Sequence, residues 1–124
     1  TIFTKNAPAP IGPYSQGVRF GNTYYFSGQI ALDPATGNFV SATDVKLQTQ
    51  QVMKNIQALL TEAGLTFDNV VKTSIFLKSM NDFPIVNEEY AKSFSSGVYP
   101  ARETVEVSKL PMDVEIEISC IAIL

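Results

Sequence analysis

The stretch P-A-R-E-T-V-E-V-S-K-L-P-M-D-V-E-I-E-I, Pro100 to Ile118, decides how the rest of the chain is read. It holds two runs in which apolar and polar side chains alternate, the period of two that marks strands with unlike faces. In the first, Ala101, Glu103, Val105 and Val107 share one face, and Arg102, Thr104, Glu106 and Ser108 the other. The second run continues past the stretch: Val114, Ile116, Ile118 and Cys120 face one way, Glu115, Glu117 and Ser119 the other. Paired as an antiparallel hairpin about Leu110 and Pro111, the runs would bring Thr104 opposite Glu117. Arg102 would be a diagonal neighbour about 7–8 Å away. A cation and a carboxylate are therefore expected on one sheet face.

Upstream, the pattern changes period. Residues 1–5 can form a short edge strand, and N-A-P-A-P-I-G-P at 6–13 holds three of the seven prolines, which makes it an extended loop. That loop delivers Tyr14, Ser15 and Gln16 to a strand running through Val18 and Phe20. Gly21-Asn22 reads as a two-residue turn, and T-Y-Y-F-S at 23–27 returns. Gly28 suggests a bulge or a close backbone approach.

A first helix is expected from an N-cap at Thr43 or Asp44 to Gly64, with Val45, Val52, Ile56, Leu59, Leu60 and Ala63 as its apolar stripe. Gln48, Gln51, Lys54, Asn55 and Glu62 populate much of its remaining surface. Val70–Leu77 is apolar enough for an internal strand. A second helix starts near Asp82, carries Phe83, Val86, Tyr90 and Phe94 on one side, and closes at Gly97. The order predicts one α+β domain over 1–124, a mixed sheet with two helices on one face. Its second face, holding Arg102 and several carboxylates among aromatics, is neither a dry core nor an ordinary wet surface. An oligomer would cover it.

Composition narrows the chemistry. With 124 residues, 45% hydrophobic and 17% charged, the chain is an ordinary globular domain. A net charge of −3 and only two arginines, Arg19 and Arg102, count against nucleic acid binding. The first residues lack a signal-like apolar run and no segment is long enough to span a membrane, so a cytoplasmic protein is expected. There is no histidine and one cysteine, which removes Ser-His-Asp and Cys-His nucleophiles, His-based metal sites and thiolate cages.

Arg102 can clamp a carboxylate in its planar fork, or it can form a structural ion pair with Glu117 or Glu115. Glu117, in mid-strand, can exchange protons if burial tunes it, or it can be a solvated strand carboxylate. Tyr14 can cover a pocket or simply pack, Ser27-Gly28 can offer backbone donors, and Asn87 can reach a site from its helix or face solvent. Cys120 shares an apolar face and is expected to be buried and inert.

These motifs together resemble the signature of the RidA (YjgF) family of reactive-intermediate deaminases. Matching segments are A-P-x-x-I-G-P-Y-S-Q-G at Ala7–Gly17, S-G-Q-I at Ser27–Ile30, A-G-L with V-V-K-T-S-I-F-L at Ala63–Leu77, and M-N-D-F-P-I-V-N-E-E-Y at Met80–Tyr90. The stretch from Pro100 completes the set. The resemblance implies a chorismate-mutase-like homotrimer with ligand clefts between subunits and no cofactor or metal. It implies hydrolysis of short 2-imino acids and their enamine tautomers, such as 2-aminoacrylate, 2-iminobutanoate and 2-iminopropanoate, to 2-oxo acids and ammonia. Arg102 would hold the substrate carboxylate and Glu117 would position water and move protons. Tyr14, Ser27, Gly28, Asn87 and Thr104 would line the cleft. Thr104 and Glu103 stand where many relatives carry Cys and a small residue, which bears on substrate preference. Two other functions remain to be told apart: a module that binds a 2-oxo or amino acid without turnover, and an RNA-directed ribonuclease or translation inhibitor.

Overall fold

A computed structural model describes residues 1–124. The strands are β1 (Gly17–Phe20), β2 (Thr23–Gln29), β3 (Val70–Leu77), β4 (Ala101–Glu106) and β5 (Ile116–Ile123); the helices are α1 (Val45–Glu62) and α2 (Phe83–Ala91). They build one five-stranded mixed sheet of order β1-β2-β5-β3-β4. Strand β5 lies between β2 and β3 and is antiparallel to both, whereas β4 runs parallel to β3 at the edge. Each helix thus connects two parallel strands, and the two pack against each other and on one face of the sheet.

Local chemistry explains the element ends. Asp44 caps α1, its Oδ1 accepting from the backbone N–H groups of Lys46 and Leu47, and Gly64 follows the helix with φ 75°. Ser79 accepts from Asn81 N before α2, and Pro84 sits in the first turn, where its missing N–H costs nothing. The second helix ends at Ala91 and not at Gly97, so Phe94 reaches the core from a turn. The first five residues supply a single bridge, Ile2 to Gly17, in place of the expected strand.

The core lies between sheet and helices. Ile75, Leu77, Ile116, Ile118 and Ala122 meet Val52, Ile56, Leu59 and Leu60, all essentially excluded from solvent. Cys120 is buried among them, and desolvation pushes its thiol up to about 12. A smaller cluster of Ile30, Leu32, Leu110 and Val114, with Phe39 and Phe76 against it, sits where two long loops cover one end of the opposite face.

Two polar positions on α1 depart from expectation. Gln48 and Asn55 are buried, at 1% and 0% exposure. Asn55 donates to the carbonyls of Ile30 and Leu32, and Gln48 donates to Ser41 O and accepts from Glu115 N. These amides bond loop backbone that no strand pairs, as buried carbonyls and N–H groups require.

The largest correction concerns the opening stretch. Its two runs do not form a hairpin, because β3 lies between them. Arg102 pairs with Thr73 and Glu117 with Phe76, three residues apart on β3. Alternation then places Arg102 and Glu117 on opposite faces of the sheet. Thr104 lies beside Ile75 on the helix side, not opposite Glu117.

Candidate functional site

Two separate clefts share the expected site residues. The first, about 330 Å³, lies on the face away from the helices and is lined by Ile11, Tyr14, Ser27, Gly28, Ile30, Pro111 and Glu117. The Pro-rich loop forms one wall, anchored by the buried Gln16 amide. Gln16 Nε2 donates to the carbonyls of Thr4, Ala7 and Pro8, and its Oε1 accepts from Thr4 N. Ser27 Oγ donates to Ser15 O at 2.6 Å, fastening the same loop to β2. The register between β2 and β5 shifts between Phe26 and Gln29, so Ser27-Gly28 bulges as the glycine suggested. A Cβ added at Gly28 would lie 2.6 Å from Glu117 Oε2, so only glycine lets the carboxyl approach the backbone this closely.

Within the chain, Glu117 has no hydrogen-bond or ion-pair partner among the side-chain contacts. Half-burial without a compensating cation raises its pKa above the usual carboxylate range, desolvation being the cause. Such a group keeps its proton to higher pH than an exposed glutamate does, and once ionised it is the stronger base.

The second cleft, about 320 Å³, opens on the helix side at the β4 edge and is lined by Asn87, Tyr90, Ala91, Tyr99, Pro100 and Arg102. Arg102 Nη1 donates to Asn87 Oδ1 at 2.8 Å. The guanidinium carbon lies over the Phe83 and Tyr90 rings, 5.4 and 5.1 Å from their centroids. No carboxylate of the chain pairs with it, so the structural ion pair with Glu117 or Glu115 does not form. Glu115 instead lies 4.0 Å from Lys78 Nζ, Glu106 accepts from Met80 N, and Glu103 pairs with Lys72 and Ser74 on the other face.

Tyr14, Ser27, Gly28 and Glu117 are thus brought together, Asn87 and Arg102 form a second group, and Thr104 lines neither cleft. Its Oγ1 is buried with no hydrogen-bond partner. Residues missed by the sequence reading are Phe83 and Tyr90 as neighbours of the guanidinium, and Ile11, Ile30 and Pro111 as apolar walls. The spacing Phe83, Asn87, Tyr90 on one side of α2 was a usable signal, since these steps of four and three put them on one helix face. No group of three or more Cys, Asp or Glu side chains converges as metal ligands would.

With this geometry in hand, comparison with known proteins defines the class. The family model described as Endoribonuclease L-PSP matches residues 4–124, and the chain belongs to that family, the RidA (YjgF) family. A RutC family protein of Pyrococcus horikoshii is 53% identical over 98% of this chain and 94% of its own length. The 2-iminobutanoate/2-iminopropanoate deaminase of Salmonella typhimurium is 48% identical over 99% of this chain and 96% of its own. Among solved structures, a conserved Rid family protein of unknown function, YyfA of Yersinia pestis, superposes with a TM-score of 0.96 at 50% identity, covering 99% of this chain and 97% of that one.

Proposed function

We propose that this protein hydrolyses short 2-imino acids and their enamine tautomers to 2-oxo acids and ammonia, in clefts that two copies of the chain complete. The observation that carries the reading is Arg102: its guanidinium is held only by neutral groups, so its charge is left for an external anion. A planar fork of N–H donors matches a carboxylate, the group every such substrate carries. Water adds to C2 of the imine, the C=N bond becomes a C–N single bond, and protons reach nitrogen. Ammonia then leaves as the C2–O bond becomes a carbonyl. One carboxyl can take the proton from water and return it to nitrogen, and Glu117 has the environment for that work. Apolar walls from Ile11, Ile30 and Pro111 suit a short side chain.

Arg102 and Glu117 cannot meet through their own sheet, so the complete site joins the Arg102 cleft of one copy to the Glu117 cleft of the next. The face away from the helices supports association. Val18, Tyr25, Phe76, Val105 and Ile121 stand on it, and Val18, Tyr25 and Val105 are 43%, 50% and 41% exposed in the single chain. A closed ring of three copies forms three such clefts. The deaminase name of the Salmonella relative adds independent support for the reaction.

The test couples a threonine or serine dehydratase to purified protein and follows 2-oxo acid release. Acceleration above the spontaneous rate, lost in Arg102→Ala, is expected. Release at the spontaneous rate, or an active Arg102→Ala variant, overturns the proposal; binding of a 2-oxo acid without turnover would then favour the regulatory module. An RNA-directed role has less support, since Arg19 Nε is committed to Gly21 O and no basic stripe exists.

A further inference from the structure

Tyr90 joins the core both to the Arg102 guanidinium and to a hydroxyl on β3. Its ring is 4% exposed and packs on Phe94 at 4.9 Å between centroids, yet it also meets the Arg102 guanidinium. Its hydroxyl shares a hydrogen bond of 2.8 Å with Thr73 Oγ1. Thr73, 3% exposed, is the residue that pairs with Arg102 across the β3–β4 ladder. The same β3 position therefore registers the backbone of Arg102 and fixes the ring against its side chain.

Arginine is a long side chain with large rotamer entropy, and a carboxylate clamp works only if its fork is already oriented. An acidic partner would orient it but would also cancel the charge. Here the holder is neutral: two ring faces, one amide oxygen, and a threonine hydroxyl behind the nearer ring.

We propose that Thr73 and Tyr90 are positioning residues that pre-orient Arg102 for the substrate carboxylate, with Thr73 latching the Tyr90 ring. This inference rests on the reading of Arg102 as the carboxylate clamp. The latch acts on binding and leaves proton transfer at Glu117 untouched, so it alters KM and not kcat.

The experiment measures calorimetric affinity for pyruvate, coupled-assay KM and kcat, and thermal midpoint for wild type, Thr73→Val, Thr73→Ser, Tyr90→Phe and Tyr90→Leu. Thr73→Val and Tyr90→Phe, which remove one hydroxyl each, should weaken pyruvate binding and raise KM roughly two- to fivefold with kcat nearly unchanged. Thr73→Ser should restore wild-type affinity, and Tyr90→Leu should weaken it further. A second readout needs no ligand. With two arginines in the chain, a proton–nitrogen spectrum of the side-chain Nε–H groups shows two signals, and Arg102→Lys assigns them. The Arg102 signal should lose the Tyr90 part of its ring-current shift in Tyr90→Leu, keeping that of Phe83, and move in Thr73→Val.

Wild-type affinity in Thr73→Val and Tyr90→Phe, or losses that follow the thermal midpoint and persist in Thr73→Ser, overturn the inference. If wild type binds pyruvate and Thr73→Val weakens it while no imine is hydrolysed, the latch stands and the deaminase reading falls. Normal turnover with an unchanged KM in Thr73→Val overturns the latch and leaves the deaminase reading standing. No pyruvate binding by wild type together with 2-oxo acid release at the spontaneous rate overturns both.

Discussion

Gly28 and Glu117 touch across the β2–β5 bulge so closely that a methyl group on Gly28 would meet the carboxyl at 2.6 Å from Oε2 and 2.7 Å from Cδ. The obstructed atoms are the free end of a flexible side chain, so Gly28→Ala should fold and move Glu117 instead of distorting the sheet. Overpacking of this kind costs about 1–3 kcal/mol where the surroundings cannot yield, and less where they can. Displacing a reacting group by about 1 Å can cost up to about a hundredfold in rate. Gly28→Ala is therefore expected to keep a near-normal melting temperature and lose at least about tenfold in kcat. A variant that unfolds, or one with normal kcat, contradicts this account.

A second expectation follows from the opposed faces of Arg102 and Glu117. Arg102→Ala and Glu117→Gln should each be inactive alone. If the proposed clefts join two copies, then after the two are unfolded together and refolded as mixed oligomers some clefts take the intact arginine from one copy and the intact glutamate from the next. Random mixing predicts roughly a quarter of wild-type activity. If both residues acted within one chain, mixing would restore nothing.

The sign of the Glu117 shift sets a pH experiment. Burial raises its pKa, so the folded chain holds this proton more tightly than the unfolded chain. By linkage, stability is lost as pH rises from the ordinary value of 4.5 through the raised folded value. Glu117→Gln has no such ionisation and should be more stable than wild type at neutral pH, although inactive. The difference should vanish below pH 4.5, as read from urea midpoints at matched protein concentration. An equal gap at every pH would assign the effect to packing.

Asn55 offers a test of the loop anchors. Asn55→Ala leaves the Leu32 carbonyl without a donor and the Ile30 carbonyl with the Leu32 N–H alone, and a buried acceptor orphaned in this way costs about 1–3 kcal/mol. The expected result is a clear fall in urea midpoint, with the first added exchange at amides of residues 30–41. Substitution of exposed Lys54 on the same helix should leave stability within about 0.5 kcal/mol of wild type.

Much of this architecture was legible because its determinants are local. Asp44 caps by its own side chain, Gly64 and the Gly21 turn are set by backbone freedom, and Gly28 announced both a bulge and a close approach. Strand order was not legible. Alternation in 101–108 and 114–120 reports which side chains share a face, and nothing about which strand comes between. The candidate site residues were found in part through motif, yet their division between two clefts depends on the parallel β3–β4 pairing, which no local signal encodes. Gln48 and Asn55 were misplaced for a related reason: polar residues beside an apolar stripe look solvated unless the loop carbonyls they serve are known. Phe83 and Tyr90 read as core because an aromatic at helical spacing does not reveal that a guanidinium will rest on it.

The burial of Cys120 gives the protein a built-in clock. This lone thiol pairs by register with Phe26 on one side and Thr73 on the other, in the middle of the sheet. With its pKa pushed up to about 12, almost no reactive thiolate exists while the sheet is closed. Modification by a thiol reagent must wait for β5 to separate from its neighbours. The labelling rate in native buffer therefore counts opening events of the strand that carries Glu117. Ligands that tighten the clefts should slow the count, without any probe having to be introduced.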